Sequence, residues 1–263
     1  MLRFHADKFL DSLYQVTSVR AIFAGLKEKH KGKLVPEKIK EDLSRRVESL
    51  RNQLQEMSLR MSVKACDRLL DKLKEDVVVD DPQLDYLMRD TYSRIRDELE
   101  GRLLLSVSPE KGSFYEPVEP LFGAQVQDSF ASASNEIDEA GKCFALGRYT
   151  ACVFHLMRVL EVGLNSLASV LDVKFEHTNW QNIIDAIEKK IAENSKNKGD
   201  GWREKEKFYS EAAAHFMYLK NAWRNHTMHV RESYDEERAL TVFNNVKGFM
   251  QVLAANGLVD IFT

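Results

Sequence analysis

Leu43-Ser44-Arg45-Arg46-Val47-Glu48-Ser49-Leu50-Arg51-Asn52-Gln53-Leu54-Gln55-Glu56-Met57 sets an apolar residue at alternating four- and three-residue steps, and Met61 extends the series. That spacing is a heptad seam. It lines one face of a helix and suits no strand, whose side chains alternate every second residue. Pro36 stands just upstream, where the first turn of a helix tolerates a missing N–H. The seam predicts a helical hairpin within the chain or a coiled-coil contact with a second chain, and spacing alone does not choose between them. Val63, Cys66, Leu69, Leu70 and Leu73 prolong the pattern.

On the N-terminal side, Phe4, Phe9, Leu10, Leu13 and Tyr14 open a helix that Val19, Ile22, Phe23 and Leu26 continue or restart. A run from Lys27 to Lys40 then carries six lysines and His30 against Glu28 and Glu37. It reads as a solvated loop, or as a local patch for nucleic acid. On the C-terminal side, Asp80-Asp81-Pro82 restarts a helix with an aspartate as N-cap, bearing Leu84, Leu87, Met88, Ile95 and Leu99.

Only 12 glycines and 5 prolines punctuate the 263 residues, so the expected fold class is all-α. A hydrophobic share of 44% is ample for a buried core. Charges nearly cancel, to a formal net charge of -3, so any nucleic-acid contact has to be local. The opening residues lack the apolar run of a signal peptide, and no later run approaches membrane-spanning length; the expectation is a cytoplasmic protein with no membrane partner. Cys66, Cys143 and Cys152 read as reduced, mostly buried thiols. The last two fall in one expected helix, roughly 13 Å apart by helical rise and too far to bridge.

Pro109, Gly112, Pro117 and Pro120 exclude a continuous helix over 101–123, where Leu103 to Val107 suits a short strand. The expected organisation is a helical domain over 1–100, a packed irregular linker over 101–123 and a helical bundle over 124–263. In the bundle, helices are expected over 125–142 and 144–171. The second of these carries His155, Arg158, Glu161 and Asn165 on one face, either as a solvent stripe with an Arg158/Glu161 pair or facing a site. Thr178-x-x-Gln181 and Ser233-x-x-Glu236 read as capping boxes for two more helices, with a long helix from Trp202 between them.

That long helix runs into Ala222-Trp223-Arg224-Asn225-His226-Thr227-Met228-His229. An imidazole titrates near neutrality and a guanidinium is a permanent cation, a pairing that suits phosphodiester chemistry. On a straight helix Arg224 and His229 would point about 140° apart. Convergence on one phosphate then calls for two copies around a twofold axis.

Arg224, Asn225 directly after it and His229 after four intervening residues give the chain a phrase that resembles the HEPN domains (higher eukaryotes and prokaryotes nucleotide-binding), over roughly the C-terminal half. The resemblance implies a homodimeric, metal-independent endoribonuclease of phage defence or a toxin system, with no cofactor. It implies that Arg224 and His229 are catalytic and that Asn225 positions them. His226, Glu161 and Arg158 are supporting candidates, RNA is the expected substrate, and the N-terminal half is expected to be regulatory or partner-binding. In one branch of the family a tyrosine follows the histidine by two residues; here that residue is Arg231, which leaves control by tyrosine modification without its acceptor. Three rival readings stand beside this one: a non-catalytic dimerisation or adaptor protein recruiting through the heptad seam, a nucleotide- or RNA-binding sensor, and a metal site of His226, His229 and His215.

Overall fold

The heptad seam lies on the second of two long helices in the computed structural model, α1 at Ala6–Lys29 and α2 at Glu37–Glu56. The structure describes residues 6–102, 106–173, 179–195, 202–224 and 233–261. It is all-α: no strand occurs among the described residues, only an isolated antiparallel bridge between Leu34 and Val78. The chain divides into two compact units, Met1–Leu105 and Ser106–Thr263.

In the first unit α3 spans Arg60–Leu73 and α4 spans Pro82–Glu100. Leu43, Val47, Leu50, Leu54 and Met57 are buried against Val16 and Val19 of α1, Cys66, Leu69 and Leu73 of α3, and Leu84 to Ile95 of α4. The seam thus finds its partners inside its own unit. Met61, expected to extend it, is half exposed. The reason is a helix stop. Ser58 takes a left-handed φ of +57°, its amide bonds to the Gln55 carbonyl, and the Leu59 amide reaches back to Leu54. This is a Schellman closure with serine where glycine is usual, sealed by buried Leu54 and Leu59. Arg102 donates to the freed Met57 and Ser58 carbonyls at 2.6 and 3.1 Å. Glu98 accepts from the first amides of α3, Met61 and Ser62. Burial pushes the Glu98 carboxyl up, but the Ser62 and Met61 donors outweigh it and hold the group below its ordinary range.

Helix α1 forms as one continuous helix. Among its described side chains Ser12, Val16, Val19 and Leu26 are buried, while Leu10, Leu13 and Tyr14 are exposed. Ser12 is tolerated inside because its hydroxyl donates to Gln53 Oε1 at 2.9 Å. In the lysine run, Lys27 meets Asp85 at 2.6 Å and buried Lys40 meets Glu37 at 2.9 Å, while Lys31, Lys33 and Lys38 face solvent. Asp81 caps α4 as expected, accepting from the Gln83 and Leu84 amides.

The second unit begins with α5, Pro109–Tyr115, so the proline- and glycine-marked stretch does contain one short helix. Phe114 of α5 packs against Phe144 and Phe243, and Phe122 is buried against Phe243. Leu103 to Leu105 of the expected strand lie outside the described residues, and 106–107 have no regular structure. The single helix expected over 125–142 is two, α6 at Ala124–Ser129 and α7 at Ser134–Ala145, separated at buried Phe130 and a 3₁₀ turn. The helix expected from Phe144 begins at Tyr149 as α8, Tyr149–Val170. Gly147, at φ +69°, closes α7 with a second Schellman pattern, Arg148 amide to Cys143 carbonyl and Gly147 amide to Phe144 carbonyl. Cys143 and Cys152 therefore sit on different helices. Both are free, and burial pushes the Cys152 thiol up to about 12.

Around α8 the unit adds α9, Trp180–Asn194, α10, Trp202–Leu219, and α11, Glu236–Ala255. Helix α8 is long and apolar enough to cross a membrane, and 67% of its most apolar window is buried within the protein. The caps differ by residue from the capping boxes. Asn179 accepts from the Gln181 amide, Thr178 lying outside the described residues, and Asp235, not Ser233, accepts from the Arg238 amide.

Candidate functional site

Helix α10 does not run straight into the arginine. Its last described turn, Lys220–Arg224, is π-helical, a wider winding whose amides reach five residues back. Lys220 Nζ anchors this turn to Gln181 Oε1 of α9 at 2.6 Å. The Arg224 guanidinium lies over the ring of Trp180, the first residue of α9, 5.1 Å from its centroid. Trp180 is buried and meets Phe216 of α10 edge-on at 6.3 Å. Arg224 itself is partly exposed.

Asn225, His226 and His229 lie outside the described residues. The two ends of the segment that holds them are fixed. The Tyr234 hydroxyl donates to the Trp223 carbonyl at 3.5 Å, and the Tyr234 amide donates to Thr150 Oγ1 of α8 at 3.1 Å. Directly beyond, Glu236 accepts from Lys111 Nζ at 2.6 Å and from the Tyr149 hydroxyl at 2.5 Å, and Lys111 also reaches Tyr149. Lys111 holds Glu236 below the ordinary carboxylate range, and Glu236 raises Lys111 in turn. Nothing in the sequence marks this cluster, because its members come from three separate helices.

The supporting candidates are arranged differently from the expected pair. Arg158 reaches Glu136 Oε1 of α7 at 2.9 Å rather than Glu161 of its own helix, and Glu161 is exposed. His155 Nδ1 lies 2.7 Å from the other oxygen of Glu136. A carboxylate accepts, so His155 Nδ1 is the donor in this bond. Further along the same face Asn165 is buried. No hydrogen bond or ion pair among the described residues joins Arg158 or Glu161 to Arg224.

His215 lines a cleft of about 370 Å³ between α10 and α11, with Phe208, Asn244, Gly248 and Phe249. Its ring packs against Phe249 at 4.3 Å, and burial pulls its pKa below the usual value of 6.5. The metal reading needed His215 beside His226 and His229, which lie outside the described residues; among those described, no group of three His, Cys, Asp or Glu side chains is placed to hold a metal. Comparison of the chain with protein-family models, with curated proteins and with solved structures finds no match.

Proposed function

We propose that the chain is a metal-independent endoribonuclease of the HEPN type, acting as a cytoplasmic homodimer in phage defence or a toxin system. The observation that carries the reading is the setting of Arg224: a partly exposed guanidinium, held over Trp180, on a π-helical turn that opens the Arg-Asn-x-x-x-His phrase. π-helical turns recur at functional sites because they re-aim side chains. The separation of about 140° between Arg224 and His229 presumes a straight α-helix, and the winding at Arg224 is not α.

In the proposed reaction the 2'-hydroxyl of the substrate attacks the adjacent phosphorus, giving its proton to the His229 imidazole. The bond to the 5'-oxygen breaks, and that oxygen takes a proton from the second copy's imidazole or from water. Arg224 holds the equatorial oxygens as negative charge grows on them. The products are a 2',3'-cyclic phosphate and a 5'-hydroxyl. Asn225, His226, Arg158 and Glu161 are assigned supporting roles, and the first unit is assigned the binding of a regulatory partner.

One observation favours a second, non-catalytic reading as an adaptor or an RNA-binding sensor: the Trp180 contact gives Arg224 a packing role independent of chemistry. An adaptor cannot recruit through the heptad seam, which is buried within its own unit. Cleavage of RNA by Arg224→Ala, assayed beside thermal denaturation, separates the two. Loss of cleavage from a folded variant supports the enzyme; full cleavage by that variant removes Arg224 from the mechanism.

A further inference from the structure

Helix α8 is buried on most of its circumference, and its large apolar residues Leu156, Met157, Leu160, Leu164 and Leu167 are inside. Phe154 departs from that rule, with 40% of its surface exposed. Beside it stands His155, and one turn on, about 6 Å along the axis, stands Arg158. An isolated exposed phenylalanine is ordinary. An exposed aromatic flanked by an imidazole and a guanidinium, on the one open stripe of a core helix, is a narrower combination.

Glu136 gives that combination its order. The carboxylate is only 14% exposed, and its two oxygens are divided between His155 and Arg158. Here Arg158 contributes one Nη2 contact, and its side chain remains 56% exposed. Among the described residues its other N–H donors meet no further carboxylate and are left for a ligand. Glu161, exposed one turn beyond Arg158, repels an anion and sets the far limit of the stripe.

We propose that the Phe154–His155–Arg158 stripe is a contact for single-stranded RNA, in which Phe154 stacks on a base and Arg158 holds the neighbouring phosphate. Aromatic faces interleaved with cations are how proteins grip single strands. The proposal rests on the reading of RNA as substrate. It assigns Glu136 a positioning role, fixing the Arg158 direction.

The test is fluorescence anisotropy with a single-stranded 2'-O-methyl oligonucleotide, which lacks the attacking hydroxyl and cannot be cut. Phe154→Ala and Arg158→Ala should each weaken binding about tenfold, Phe154→Trp should retain it, and the thermal midpoint of Phe154→Ala should stay at the wild-type value. If wild type binds and both alanine variants bind equally well, the stripe is not the contact, while the RNA reading stands. If wild type binds no oligonucleotide, both fall. A loss of binding in Phe154→Ala that tracks a loss of folding, with no rescue by Phe154→Trp, also overturns the proposal.

Discussion

The Arg224 guanidinium sits 5.1 Å from the centroid of the Trp180 ring, so the arginine that opens the Arg-x4-His phrase is held by the first residue of α9. Trp180 is buried and held in turn by Phe216 of α10. The arginine is thereby fixed in place before any substrate arrives, which is what stabilisation of a developing charge requires.

This contact predicts a measurable stability cost apart from activity. Urea denaturation of Arg224→Ala should show a loss of about 0.5–2 kcal/mol, the range for a cation over an indole. Trp180→Ala should lose about 3–5 kcal/mol, because it also opens a cavity beside Phe216. An Arg224→Ala curve superimposed on wild type would show that the ring does not hold the arginine.

Gly141 gives a second prediction, in which two opposed effects have to be weighed. Glycine to alanine inside a helix ordinarily gains about 1 kcal/mol. At Gly141 the new Cβ would lie 2.5 Å from the Phe114 carbonyl oxygen, which is backbone of α5, and 2.5 Å from Leu121 Cδ1. Backbone cannot step aside as a leucine tip can, and overpacking costs about 1–3 kcal/mol or more. Gly141→Ala should therefore lower the melting temperature. Gly163→Ala should lower it less, since its neighbours at 2.9 and 3.1 Å are the flexible ends of Leu253 and Met250.

The heptad seam supplies a third. Leu50 is buried among α1, α3 and α4 of its own unit, so Leu50→Ala should cost about 2–5 kcal/mol. The loss should be the same on tenfold dilution, as an intrachain contact requires. A loss that grows on dilution would point to a partner chain on the seam.

Acidification gives a fourth. Burial holds the His215 pKa below 6.5, so the unfolded chain binds this proton more readily than the folded one. Stability from His215 is complete above pH 6.5 and falls as the pH drops through the folded pKa. The carboxylates Asp81, Asp85 and Glu98, all held low, add their own losses only below about pH 4.5. As the pH falls below 6.5, and before the carboxylates titrate, wild type should lose stability that His215→Phe, stacked on Phe249 in its place, does not lose. Parallel curves for the two proteins would remove His215 as the cause.

Much of the fold was legible because helical periodicity is a local signal. The all-α class and the burial of Leu43 to Met57 follow from spacing alone. Met61 escaped because Ser58 adopts a conformation usually reserved for glycine, and nothing around it announces that turn. Helix α1 was legible as a helix but its inner side was not, because apolar residues stand on two sides of it and the partner of buried Ser12 is Gln53, forty-one positions away. The cap Asn179 directly follows Thr178, and the cap Asp235 stands two residues after Ser233; sequence does not rank such neighbours. Glu136, which organises His155 and Arg158, was invisible for a different reason. A carboxylate from another helix leaves no mark at the position it serves. Glu161, with the right spacing on the same helix, looked the better partner for Arg158.

The most direct measurement on the central claim is incubation of wild type and His229→Ala with mixed single-stranded and transfer RNA in excess EDTA, followed by analysis of the product ends. The account predicts cleavage by wild type alone, leaving 2',3'-cyclic phosphate and 5'-hydroxyl termini. Equal cleavage by both proteins, cleavage that EDTA abolishes, or no cleavage from a wild-type protein confirmed folded and dimeric would contradict it.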